Sequence, residues 1–178
     1  MTVRLVLLGL LRERPLYGYE IKQIIEEQMS DWTSIAFGSI YFALDKLAEE
    51  KFVEKVEVEQ KGKRPSRSVY QITPSGRKEF YRLLRETWQQ FDRSYFPLDI
   101  CLFFLDSLSL EEVTSYLQAR KKNLQVALEY VQRHRSEELE LPDVPPIAAN
   151  IFDHTIVHVQ AELEWLSSLI RKLKSKKS

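Results

Sequence analysis

The stretch VEKVEVEQKGKRPSRSVYQIT, residues 53–73, decides the fold. In its first half Val56 and Val58 alternate with glutamates, and in its second half Tyr70 and Ile72 alternate with polar residues. A period of two on both sides of a loop that holds a glycine and a proline is typical of a β-hairpin with one buried face. The sequence therefore predicts a hairpin near the middle of its N-terminal half.

Three segments with helical periodicity precede this hairpin. The first is a run of leucines and valines from Leu5 to Leu11, in which Gly9 would let another backbone come close. The third is expected to begin at Ser39, whose hydroxyl suits an N-cap. The predicted buried stripes of the second and third helices are Ile21, Ile24, Ile25 and Met29, and Ile40, Leu44, Leu47 and Ala48. Three helices followed by a hairpin predict a winged helix-turn-helix.

A long fourth helix is expected to leave this domain. Thr73 as N-cap, with proline at the next position, is a strong start signal, and the apolar stripe that follows reaches Phe91. We place the domain boundary near Arg93, which gives domains 1–93 and 94–178. The fold class is thus mainly α with a small β-hairpin.

The C-terminal domain is predicted to be all-helical. Ser109 and Glu112 form a capping box before a long helix, and prolines between residues 142 and 146 interrupt it. A last helix is expected from about Ile147 to Leu173.

Composition restricts the class of protein. The chain has 178 residues with equal numbers of acidic and basic residues, which excludes binding of nucleic acid by bulk charge but not by a local patch. A single cysteine, Cys101, excludes an intrachain disulfide and fits a reducing compartment. The apolar N-terminal run is too short to span a bilayer. We expect a cytoplasmic protein with no membrane contact.

The cations are concentrated at the hairpin tip. Between residues 61 and 78 there are six lysines and arginines and no acid. Such a tip can reach a phosphate backbone and release counterions. The alternative is a solvated tip whose charges prevent edge-to-edge aggregation. The helix pair before the hairpin favours DNA, because the second helix of such a pair enters the major groove.

The chain resembles the PadR-like family of bacterial transcriptional regulators. The matching stretches are LLGLLRERPLYGYEI (7–21), GSIYFALDKLAEEKFVE (38–54) and GKRPSRSVYQITPSGRKEF (62–80). The family pattern has proline where this chain has Phe42 and usually glycine where it has Lys51, so Lys51 must adopt an unusual backbone conformation or change the turn.

The resemblance implies a homodimer, held by the C-terminal domain, that binds a pseudo-palindromic operator in double-stranded DNA, usually as a repressor. It places the candidate DNA contacts in three groups. These are Tyr17 and Tyr19 before the second helix, Ser39, Tyr41 and Lys46 on the recognition helix, and Lys63, Arg64 and Arg67 in the wing. The alternative is a winged-helix protein-interaction module without DNA binding, which Asp45, Glu49 and Glu50 on the third helix favour slightly.

Two further groups of residues each have a structural and a functional interpretation. Aromatic residues near the domain junction can line a pocket for a small aromatic effector, although core and dimer interface are the commoner use of such residues. The pocket candidates are Trp88, Phe96, Phe103 and Trp165. His154, His158 and Glu162 recur every four residues and could hold a metal ion, but the sequence favours a polar flank of the last helix.

No metal, cofactor or enzymatic activity is predicted. The sequence has no glycine-rich phosphate loop, nucleophile elbow or paired-carboxylate pattern. Cys101 lies in an apolar run and is expected in the core rather than as a nucleophile.

Overall fold

The computed structural model describes residues 2–30, 33–58, 67–91, 93–142 and 144–175. It divides into two compact units, Met1–Asp92 and Arg93–Ser178. In the first unit the elements are α1 (Thr2–Glu13), β1 (Leu16–Tyr17), α2 (Gly18–Gln28), α3 (Phe37–Glu49), β2 (Val53–Val58), β3 (Arg67–Ile72) and α4 (Pro74–Gln89). In the second they are α5 (Pro97–Phe103), a 3₁₀ turn (Leu105–Ser107), α6 (Leu110–Leu139) and α7 (Ile147–Ser175).

The first unit is a winged helix, as the sequence predicts. Its antiparallel sheet has the order β1-β3-β2, with Leu16 opposite Tyr70 and Val53 opposite Ile72. The two-residue strand β1 is not predicted by the sequence, since two residues carry no periodicity. It fixes the start of α2 against the sheet.

A single apolar core joins the helices to the sheet. In the first unit, the side chains with 2% or less of their surface exposed are Leu7, Leu8, Leu11, Leu16, Ile21, Ile40, Leu44, Leu47 and Val53. Each such side chain contributes about 1.5–3 kcal/mol relative to an exposed one. The predicted stripes of α2 and α3 are confirmed, because their residues are all buried or packed against this core. Gly9 admits the ring of Phe80 rather than a backbone, since an added Cβ would lie 3.2 Å from Phe80 Cε2.

The hairpin is present, but its first strand faces the other way. Val53 is buried opposite Ile72, and Lys55 lies opposite Tyr70, so Val53 and Lys55 lie on the inner face. Val56 is consequently on the outer face and 52% exposed. The prediction that Val56 lies on the buried face was wrong, because the alternation of residues 56–59 did not include the anchoring Val53.

A tight junction connects α3, the hairpin and α4. The amide of Phe52 donates to Leu47 O and that of Lys51 to Ala48 O, which is the Schellman ending of a helix. Lys51 has φ 63°, so the sequence-based expectation of an unusual backbone there is confirmed. Thr73 caps α4 as predicted: its hydroxyl oxygen accepts from the Gly76 amide at 3.0 Å and donates to Lys51 O at 2.8 Å.

The second unit is a small helical assembly around α6 and α7. Leu117, Leu166, Ile170 and Leu173 form its central cluster. Ser109 caps α6 as expected, accepting from the amide of Glu112 at 3.2 Å.

No residue of α5 is buried. Cys101 is exposed, which corrects its predicted place in the core: Leu98 packs against the central cluster, whereas Cys101 faces outward on the same helix. Within the described residues, no helix is long and apolar enough to cross a membrane.

Candidate nucleic-acid interface

Helix α3 has one buried and one open face. Ile40, Leu44 and Leu47 anchor it in the core. On the opposite side Phe42 is 67% exposed, and Phe37, in the first turn beside Tyr41, is 52% exposed. Large apolar side chains on an exposed helical face mark an interaction surface. The face is therefore available to enter a groove or meet a partner.

Tyrosines flank this helix. The rings of Tyr17 and Tyr19 stack with centroids 5.6 Å apart, and the ring of Tyr41 meets that of Phe37 edge-on at 5.1 Å. Gly18 lies directly under Tyr41, since an added Cβ would be 2.8 Å from Tyr41 Cε1. The structure thus brings together three of the residues that the sequence singled out.

A cavity of about 350 Å³ lies beside these tyrosines. Its lining comprises Tyr17, Gly18, Tyr19, Tyr41, Asp45, Lys55, Ser68 and Tyr70. Lys55 Nζ contacts Asp45 Oδ1 at 3.1 Å, and the bond to Asp45 raises the pKa of Lys55. Burial raises the pKa of Tyr70, so this hydroxyl stays neutral. The sequence does not mark Lys55, Ser68 and Tyr70 as site residues, because only the strand pairing brings them beside α3.

Two predicted contacts on α3 are engaged within the protein. Ser39 is not the N-cap, which is a correction: α3 begins at Phe37 with Ala36 as cap, and the Ser39 hydroxyl donates to Ala36 O at 2.5 Å. The hydroxyl turns back to a carbonyl because Ser39 already lies inside the first turn. Lys46 is exposed and pairs with Glu49 at 2.6 Å.

The predicted wing contacts are only partly visible. Lys63 and Arg64 lie outside the described residues. Arg67 begins β3 opposite Val58, and its backbone alone is described. Their role in DNA binding stays a prediction.

The predicted effector residues do not form one group. Phe96 and Trp165 line a cavity of about 200 Å³ with Leu98, Asp99 and Glu162. Phe103 lines a different depression beside Leu105 and Leu110. Trp88 belongs to the first unit, where it is 83% exposed at the end of α4.

The structure also shows the positions of the candidate metal ligands on α7. His154 and His158 are exposed on α7, and their Nε2 atoms lie 3.1 Å apart. Glu162, the third residue of the series, is paired with Arg120 at 3.1 Å. Among the residues that the structure describes, no group of three or more His, Cys, Asp or Glu side chains could hold a metal ion.

The first unit matches a known family. A model of the transcriptional regulator PadR-like family matches residues 7–82, from α1 into α4. This range contains the open face of α3, the tyrosines and the hairpin. Residues 7–82 are therefore similar in sequence to the PadR-like family of transcriptional regulators. The resemblance drawn from three sequence stretches is confirmed.

Matches over nearly the whole chain extend the likeness to its second unit. The negative transcriptional regulator PadR of Bacillus subtilis is 24% identical over 177 residues, 95% of this chain and 96% of that protein. A crystal structure of that protein with operator DNA matches with a TM-score of 0.78 at 21% identity, covering 97% and 99% of the two chains. Its structure with p-coumaric acid matches with a TM-score of 0.74 at 20% identity, covering 97% and 95%. The structural likeness shows the fold, including the helical C-terminal unit.

Proposed function

We propose that this PadR-like regulator is a homodimeric repressor that occupies a pseudo-palindromic operator and acts in the cytoplasm without catalysis. A relative over nearly the whole chain is named a negative transcriptional regulator, and a solved structure of that relative contains operator DNA. Repression then follows from occupancy: a protein seated on the operator blocks access to it.

The observation that carries the proposal is the open face of α3. Phe37 and Phe42 are more than half exposed, and an apolar ring suits contact with the methyl group of thymine in the major groove. Tyr41 stands between them, held over Gly18. This side of α3 reads bases in our account, and Phe42 gives it a preference for thymine.

Phosphate contacts come from both sides of α3. Tyr17 and Tyr19 can donate hydroxyl hydrogen bonds from the start of α2. From α3, the Ser39 hydroxyl and the Lys46 ammonium group can donate once their present partners are exchanged for phosphate. Lys63, Arg64 and Arg67 supply the wing. Each cation that neutralises a phosphate adds to the salt dependence of binding.

The second unit is the proposed dimerisation domain. Its helices leave large apolar side chains exposed, a feature of surfaces that meet a partner. These side chains are Phe103, Phe104, Tyr116, Val126, Tyr130 and Val157. A second copy of the chain would cover such side chains and set the distance between the two recognition helices.

An effector would bind at Phe96 and Trp165. The cavity there offers two aromatic rings, with the carboxylates of Asp99 and Glu162 at its wall. Glu162 is paired with Arg120, whereas Asp99 would repel a carboxylate ligand. A small neutral or cationic aromatic molecule therefore fits this cavity better than an aromatic acid.

The protein-interaction alternative rests on the acids of α3, and the structure weakens it. Asp45 is paired with Lys55, Glu49 with Lys46, and Glu50 with Arg4 at 2.9 Å. The bond from Arg4 holds the pKa of Glu50 below its usual range, so this carboxylate is already stabilised within the fold. A basic partner would have to compete with these pairs, above all with the two hydrogen bonds between Arg4 and Glu50.

Selection from a random duplex library tests the proposal. Full-length protein should enrich two inverted half-sites whose centres lie about one helical turn, roughly 10 base pairs, or a multiple of a turn apart. Enrichment of a single unpaired site would contradict the dimer. Failure to enrich any sequence, with the protein folded, would contradict operator binding and favour the interaction module.

A further inference from the structure

We propose that His154 and His158 form a two-histidine binding site for a divalent transition-metal cation, Zn²⁺ or a similar ion, on the exposed face of α7. Residues four apart lie above one another on a helix, and these two imidazoles meet with centroids 4.6 Å apart. Their Nε2 atoms approach to 3.1 Å.

This separation suits chelation. Two imidazole nitrogens that are each about 2.0–2.1 Å from one ion, at angles from about 90° to about 110°, lie roughly 3–3.4 Å apart. The observed distance falls in this range. Imidazole is a good ligand for zinc, copper and nickel, and neither side chain must leave the core to bind one.

The surroundings permit a cation but add no further ligand. Asp153 is paired with Arg135 at 2.8 Å and Glu162 with Arg120 at 3.1 Å, so the nearby charges largely cancel. The described residues hold no group of three or more ligating side chains, and this site accordingly has two protein ligands. Water fills the remaining positions, as at other open metal sites.

The competing explanation is a simple hydrogen bond between the two rings, one neutral imidazole donating to the other. Such a pair would bind no ion. Because both rings are exposed, replacing either is expected to leave the fold intact. The variants therefore report on binding rather than on stability.

Titration calorimetry of the full-length, tag-free protein with ZnCl₂ and, separately, NiCl₂ tests the site. We expect saturable binding of one ion per chain for the wild type. His154→Gln and His158→Gln should each weaken it at least about tenfold, since even indirect supports of a metal ligand cost that much. His134→Gln is the matched control: His134 is also on a long helix but contacts Glu138 at 3.3 Å, and its loss should leave the affinity unchanged.

Thermal unfolding supplies a second readout. An ion that binds only the folded chain raises its melting temperature, and Zn²⁺ should do so for the wild type and for His134→Gln but not for the other two variants. Wild-type protein that shows no saturable heat, or His154→Gln and His158→Gln variants that bind as the wild type does, would overturn the proposal.

Discussion

Lys51 sits in a backbone conformation that glycine adopts more easily. Its φ of 63° is imposed by the Schellman ending of α3, whose two amide bonds at Lys51 and Phe52 fix the turn into β2. Its carbonyl also accepts from Thr73 and Ser75, so the turn is held from the α4 side as well. A side chain in the left-handed region costs on the order of 1 kcal/mol.

Lys51→Gly should therefore stabilise the protein by about 1 kcal/mol, raising its melting temperature by about 2–4 °C. Lys51→Ala keeps the Cβ and the strain, and should melt close to the wild type. Differential scanning calorimetry measures both. A Lys51→Gly variant no more stable than Lys51→Ala would show that the positive φ carries no cost here.

Phe42 is the side chain of α3 on which the proposed base contact depends. Phe42→Ala removes a ring that is 67% exposed, so the fold should be unaffected while operator affinity falls about fivefold or more. Phe91→Ala removes a ring that is 92% exposed and lies outside α3, and it should leave operator affinity unchanged. Anisotropy titrations on a selected operator compare the two. Equal affinity of Phe42→Ala and wild type would remove Phe42 from the interface.

For single residues, the sequence predicts the structure correctly where the local backbone decides it. The cap at Thr73 could be predicted because it depends on neighbouring backbone groups. The unusual backbone at Lys51 could be predicted only through the family resemblance, because the family usually has glycine at this position. Ser39 and Val56 could not. Ser39 has the composition of a cap, but the helix starts two residues earlier, and the side facing the core in β2 is set by the distant partner Ile72.

The start of α4 packs tightly against the turn that connects α3 to β2. Gly76 lies in the first turn of α4, and an added Cβ would be 2.0 Å from the carbonyl oxygen of Phe52. That oxygen also accepts from the Thr73 amide at 3.0 Å, so it is not free to move away. The close approach joins the start of α4 to the entry of the hairpin.

Gly76→Ala is expected to destabilise the protein by about 3 kcal/mol or more, because the clash is with backbone. Gly38→Ala is the matched control, since no atom lies within 4 Å of its added Cβ and alanine favours the helix by up to about 1 kcal/mol. Thermal melts should move in opposite directions for the two variants. A Gly76→Ala protein as stable as the wild type would mean that α4 is less tightly seated than described.

The elements themselves were largely readable from the sequence. Helices of eleven residues or more carry enough periodicity to be found, and the hairpin was marked by its change of period. The strand β1 and the 3₁₀ turn were missed because a segment of two or three residues is too short to show a periodic pattern. The stripe predicted on α4 reaches Phe91, yet the helix ends at Gln89 and Phe91 is exposed, since amphipathic spacing does not say what covers a face.

For the whole molecule, the proposed wing charges should appear in the salt dependence of binding. Arg64→Ala with Arg67→Ala should lower the slope of log affinity against log salt by about 2, one for each phosphate that the wing then leaves without a cation. Lys172→Ala with Lys174→Ala removes two cations from the last turn of α7 and should leave the slope unchanged. Titrations of operator DNA with each protein at several salt concentrations measure this slope. Equal slopes for wild type and the wing variant would place the phosphate contacts elsewhere.

Assembly and ligand binding were the least predictable at this scale. Of the candidate effector residues, Phe96 and Trp165 line one cavity of the second unit, whereas Phe103 lines another. Which helices of two copies meet depends on surfaces that a single chain leaves open. The winged helix, in contrast, follows from local patterns and a single core.

The central claim is that this chain recognises a specific operator as a dimer. Fluorescence anisotropy with DNA from immediately upstream of its own gene, against a scrambled duplex, tests it most directly. The account predicts two chains per duplex and binding at least about a thousandfold tighter than to the scrambled control at physiological salt. Equal, weak binding to this duplex, the scrambled control and any duplex obtained by selection would contradict it.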